Sequence, residues 1–128
     1  MFEVHDNIVK SYFIDLEKME IQLNLANEDE DSKQQVFFNK VFAYYFYNEL
    51  SGSILYDIEK EKDIDFFLER NREILSNQQG TGWPMIYEKE DELFDYIKEN
   101  NYECYLIEPS YGLRGWVVCQ DVVVRKCM

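Results

Sequence analysis

One histidine, three cysteines and a large excess of carboxylates are the side chains here that could do chemistry. A Ser–His or Cys–His nucleophilic pair would have to use His5, which lies beside Asp6 near the start of the chain. A lone histidine in such a place reads as solvated. Cys104, Cys119 and Cys127 could join His5 in a Cys3His zinc site. Their spacings of fifteen and eight contain no C-x2-C knuckle, so the thiols read as small core filler.

General acid–base work needs one carboxyl in an apolar pocket and another in water. Asp15, Asp57, Glu59 and Glu108 are the acids with apolar neighbours. Strand alternation would turn Asp57 and Glu59 to solvent together with Leu55. The run Glu28–Asp31 lacks the D-x-[DN]-x-[DN]-G pattern of a calcium loop. Gly80-Thr81-Gly82 lacks the lysine of a phosphate loop. These residues predict no catalytic group, no cofactor and no metal.

Aromatic side chains offer a different chemistry. Residues 36–47, VFFNKVFAYYFY, hold seven rings in twelve positions. Trp83, Pro84, Met85 and Tyr87 follow two glycines in the uncharged stretch 76–87. Tyrosine and tryptophan are favoured at the centres of protein interfaces. Tyr45, Tyr47, Trp83 and Tyr87 are therefore the candidate anchors for a partner. Arg114 and Trp116 follow the last turn, and a strand-borne arginine among so many acids predicts a neighbouring carboxylate.

The formal charge is -13, from 13 lysines and arginines against 26 acids. Such a chain repels nucleic acid and anionic membrane and attracts basic proteins. Glu28, Asp29, Glu30, Asp31, Glu88, Glu90, Asp91 and Glu92 form the densest acidic runs and are the candidate steering charges. The odd cysteine count, and an N-terminus without a basic region followed by an apolar run, predict free thiols in the cytoplasm. No apolar run approaches the length of a membrane span.

The elements that position these residues follow from periodicity. The 128 residues are expected to form one domain, 1–128. Residues 8–16 and 19–25 predict a hairpin, the second run alternating Met19, Ile21, Leu23 and Leu25 against Glu20, Gln22 and Asn24. Residues 26–35 predict a solvated loop. The ring-rich stretch predicts a central strand, with Val36, Phe38, Phe42, Tyr44 and Phe46 on one face and Phe37, Val41, Ala43, Tyr45 and Tyr47 on the other.

A short strand over 54–59, helices over 63–75 and 88–99, and a final hairpin over 102–124 complete the order. A Tyr111-Gly112 turn would set Cys104 opposite Cys119 and Ile107 opposite Trp116. The expected fold is α+β: a mostly antiparallel sheet of about six strands, β-β-β-β-α-α-β-β, with two helices on one face. The uncovered face would leave Phe37, Tyr45 and Tyr47 accessible.

Small size, acidity and an α+β order are similar in type to bacterial immunity proteins and inhibitors of nucleases, a likeness carried by no motif. The leading expectation is a non-enzymatic binder or inhibitor of a basic protein partner such as a nuclease. One alternative is a ligand-binding domain with a pocket lined by Phe38, Phe42, Tyr44 and Trp116. Another is a homodimer that hides its rings at a symmetric interface.

Overall fold

A computed structural model describes residues 4–127; the first three residues and Met128 of the expected domain lie outside them. Six strands form: β1 (Ile8–Asp15), β2 (Glu20–Asn27), β3 (Ser32–Tyr47), β4 (Ile54–Lys60), β5 (Glu103–Tyr111) and β6 (Arg114–Cys127). Helices α1 (Ile64–Arg70), α2 (Arg72–Asn77) and α3 (Glu90–Glu99), with a 3₁₀ turn at Gln79–Thr81, separate β4 from β5. The fold is thus α+β, built on antiparallel pairing throughout.

The sheet closes into a barrel in the order β1-β2-β3-β6-β5-β4. Closure between β1 and β4 rests on the pair Ile8↔Ile54, reinforced by Leu55 N–H to Asn7 O at 2.9 Å and Val9 N–H to Ser53 O at 2.8 Å. A closed sheet hides its inner face against itself and has no free edges. The inner half of the ring-rich strand is therefore covered by the rest of the barrel, and only its outer half is left to be covered from outside.

Each hairpin shows why its residues turn where they do. Asp15 accepts the backbone N–H groups of Glu17 and Lys18, both at 3.0 Å, which sets a turn over residues 16–19. The expected loop 26–35 shrinks to residues 28–31, because Asn27↔Ser32 and Ala26↔Lys33 continue the ladder. Asp63 caps α1 by accepting from Phe66 N–H at 3.0 Å. The single helix expected over 63–75 breaks at Asn71, whose side-chain amide donates to Phe67 O at 3.0 Å.

Two buried clusters share the strands. Leu23, Val36, Phe38, Ile58, Tyr105, Val117 and Cys119 fill the barrel. Cys104, Trp116 and Val118 join Phe67, Leu68, Leu75, Leu93 and Ile97 of the helices in a second cluster. Neighbours on β5 and β6 alternate between the two, as strands buried on both sides must. Leu55 is fully buried in the barrel, not solvent-facing with Asp57 and Glu59, because register shifts flank it on β4.

The β5–β6 register is one residue from the expected one: Cys104 faces Val118 and Ile107 faces Gly115. Cys104 and Cys119 consequently lie in different clusters, and both are free thiols. Past Ile107 the strands part, because β5 goes on pairing with β4 and Leu113 N–H donates to Ser53 Oγ at 2.9 Å. Gly112 has the positive φ, 83°, that this turn requires.

Candidate aromatic docking site

Along β3 the alternation slips twice. Lys40 takes a positive φ of 54°, and the β3–β6 register shifts between Val41 and Ala43. Val41 thereby enters the barrel cluster, while Phe42 and Ala43 join the helix cluster. The two slips cancel. Tyr44 and Phe46 pack toward the barrel cluster, and Tyr45 and Tyr47 remain 36% and 40% exposed. Phe37 is half-buried, with the Arg125 guanidinium 5.0 Å from its ring centre.

Trp116 on β6 organises the exposed rings. It is only 4% exposed, with Tyr45 stacked beside it at 6.1 Å and 23°. Trp83 stands 6.4 Å away, and Phe67 of α1 meets it edge-on at 5.2 Å. Tyr47 lies 5.4 Å from Tyr45. Three of the four candidate anchors, Tyr45, Tyr47 and Trp83, are thus gathered about one buried indole.

Tyr87 does not belong to this surface. It is 8% exposed in the helix cluster, and its hydroxyl reaches Leu75 O at 3.5 Å. Burial, then the charge of Glu90, pushes its phenol pKa up. An anchor must be free to enter a partner, and Tyr87 is already closed in by its own chain.

The steering acids are dispersed. Glu28–Asp31 form the β2–β3 turn, at the start of β3. Tyr45 is thirteen residues beyond Ser32, roughly 43 Å along a strand at about 3.3 Å per residue. Glu28 is paired with Lys10 at 3.0 Å and Glu90 with Arg72 at 2.9 Å. Asp91 stays exposed in the first turn of α3.

Beside the rings runs a groove of about 450 Å³ between α1 and strands β4, β5 and β6. Tyr47 and Trp116 line it, with Tyr56, Phe66, Arg70, Glu108 and Arg114. The last five were not among the candidate anchors. Phe66 next to buried Phe67 is the signal that could have found one of them, since a helix cannot bury both rings of an adjacent pair on one face. Tyr45 and Trp83 also line a smaller hollow of about 310 Å³ with Ile74, Asn77 and Gln78.

Arg114 makes no ion pair among the described residues, but it has the expected carboxylate neighbour in Glu108. It stands across from Tyr47 and lowers the pKa of Glu108. Burial, then a hydrogen bond with Glu59 and the charges of Glu59 and Asp57, outweigh that pull and leave the Glu108 carboxyl raised.

The other chemical candidates separate in space. His5 packs edge-on against Tyr56 at 5.3 Å. Burial pushes the Cys104 thiol up and Cys119 to about 12. Among the described residues no group of three His, Cys, Asp or Glu side chains is placed to hold a metal ion. The expected pocket of Phe38, Phe42, Tyr44 and Trp116 does not assemble: Phe38 and Tyr44 belong with the barrel cluster, Phe42 and Trp116 with the other. No helix among the described residues is long and apolar enough to cross a membrane.

Compared with known proteins, the chain matches no family model, no curated protein and no solved structure.

Proposed function

We propose that this chain is a non-enzymatic interaction protein of the cytoplasm that binds a basic protein partner, such as a nuclease, in the manner of an immunity-type inhibitor. The observation that carries the reading is the aromatic cluster of exposed Tyr45 and Tyr47 and half-buried Trp83 around buried Trp116. Rigid rings of this kind gain area on binding with little loss of rotamer freedom. The reading takes the helices to lie together on the side of the barrel that carries Trp116. It gives the net charge of -13 a long-range role, drawing a basic partner in, while the rings hold it. Neither nucleic acid nor membrane is a direct partner in this scheme.

Paired affinity capture from the native cell tests it, with the wild-type chain and a Tyr45→Ala/Tyr47→Ala variant as baits. Each hot-spot truncation costs about 2 kcal/mol, or roughly thirtyfold in Kd. A basic protein held by wild type and lost by the folded variant is the expected result. Recovery of the same proteins at the same yield by both baits refutes the role of the rings. Association of the captured protein should slow steeply with added salt; a flat rate refutes steering.

A further inference from the structure

The groove beside the aromatic cluster is lined by two of the chain's arginines, Arg70 and Arg114. The sequence has four. Arg72 is paired with Glu69 at 2.8 Å and Glu90 at 2.9 Å, and Arg125 lies over Phe37. Arg70 and Arg114 make no ion pair among the described residues, and both line the groove. In a chain where acids outnumber bases two to one, two guanidinium groups without an ion pair among the described residues, one on α1 and one on β6, line a single groove.

We propose that this groove is a binding site for a small organic anion, a carboxylate or phosphate group joined to an aromatic body. The anionic group sits against Arg70 and Arg114, and the ring lies among Tyr47, Phe66 and Trp116. A guanidinium fork matches both oxyanions bidentately. The volume of about 450 Å³ is that of a small-molecule site. Arg70 is already over the Phe66 ring, 5.9 Å from its centre, which presents charge and aromatic surface together. Trp116, on the β6 side of the groove, carries a buried indole N–H without a partner, which makes its resonance a local reporter.

Two carboxylates also line the groove. Glu61 accepts the Asp63 backbone N–H at 3.1 Å. Burial raises the Glu108 carboxyl, and Arg114 pulls it the other way. Arg70 and Arg114 are the cationic groups in the lining, and a ligand anion would meet them. The site shares Tyr47 and Trp116 with the proposed docking cluster, but a small anion and a protein partner can be assayed separately.

The test is a titration of the full chain followed by the indole N–H resonances of its two tryptophans. The probes are phenylacetate, phenyl phosphate and phenethylamine. Either anion should shift the Trp116 resonance with a Kd on the order of 1 mM or tighter, and the amine should not. Binding by phenylacetate alone, or by phenyl phosphate alone, identifies which oxyanion the site takes. Arg70→Gln and Arg114→Gln should each weaken binding about tenfold with the urea midpoint unchanged. The inference is overturned if the amine binds as well as the anions, if no probe shifts the resonance, or if both variants bind like wild type. Failure of the wild-type chain to capture any basic protein, with anion binding intact, would instead count against the proposed function alone.

Discussion

Gly115→Ala is the substitution that most directly tests how the site is built. Gly115 sits on β6 between two partners, Phe46 on β3 and Ile107 on β5. Its φ is 154°, and a Cβ placed there would lie 1.9 Å from the Tyr45 carbonyl oxygen, 2.9 Å from its carbon and 3.0 Å from the Phe46 Cα. All three are backbone atoms, so no side-chain rotation relieves the contact. β3 must move away from β6, or Gly115 must leave its conformation, and either one disturbs the ladder. Backbone strain costs about 1–3 kcal/mol, and overpacking about 1–3 kcal/mol more. A loss of about 2–6 kcal/mol is a large share of the roughly 5–15 kcal/mol that holds a domain of this size. Thermal unfolding followed by circular dichroism should show Tm lowered by on the order of 10 °C. Because Tyr45 and Trp116 flank the contact, near-ultraviolet dichroism should change in whatever folded protein remains. A variant whose Tm stays within about 2 °C of wild type, with unchanged aromatic dichroism, would refute the close approach of the strands.

Two further outcomes follow from titrating groups. Burial keeps Cys104 and Cys119 protonated, whereas Cys127 is only partly covered, so native protein at about pH 8 should take up one iodoacetamide and urea-unfolded protein three; two or more labels by mass spectrometry on the native chain would contradict the packing. The folded Glu108 carboxyl binds its proton more tightly than the unfolded one near 4.5, so its contribution is intact below that value and lost as pH rises through the folded one. Glu108→Gln should therefore lose less stability than wild type as pH rises above about 4.5, read as the difference in urea midpoints, and parallel curves would show that burial and Glu59 do not act on this carboxyl.

Local order was legible because it depends on local pattern. The alternation of Ile21, Leu23 and Leu25 became a strand with all three buried, and Asp63 capped a helix as its type and place suggest. Closure of the barrel was not legible. It rests on one Cα pair, Ile8↔Ile54, and a few backbone bonds that no side-chain pattern announces. The β5–β6 register was missed by one residue for a related reason: the turn is fixed by Ser53, sixty positions from the Leu113 N–H it accepts. On β3 the alternation gave the right faces at both ends only because the slips at Lys40 and after Val41 offset one another.

The site divides along the same line. Tyr45 and Tyr47 were found because strand parity turns them outward; Tyr87 was not excluded, because loop composition carries no information about which ring folds back. Charge was less legible. Net charge is a property of the whole chain and says nothing about where like charges meet. Glu28–Asp31 form the turn that opens β3 while Tyr45 and Tyr47 lie at its far end, and Glu28 and Glu90 are each tied to a cation. The groove next to the rings instead carries Arg70 and Arg114. On the function proposed above, a partner would be drawn in by the net charge of the chain and would meet Arg70 and Arg114 where it docks. Its complementary face should be basic at its margin, with an acidic or hydrogen-bond-accepting group at its centre, and that pattern sets it apart from basic proteins attracted by net charge alone.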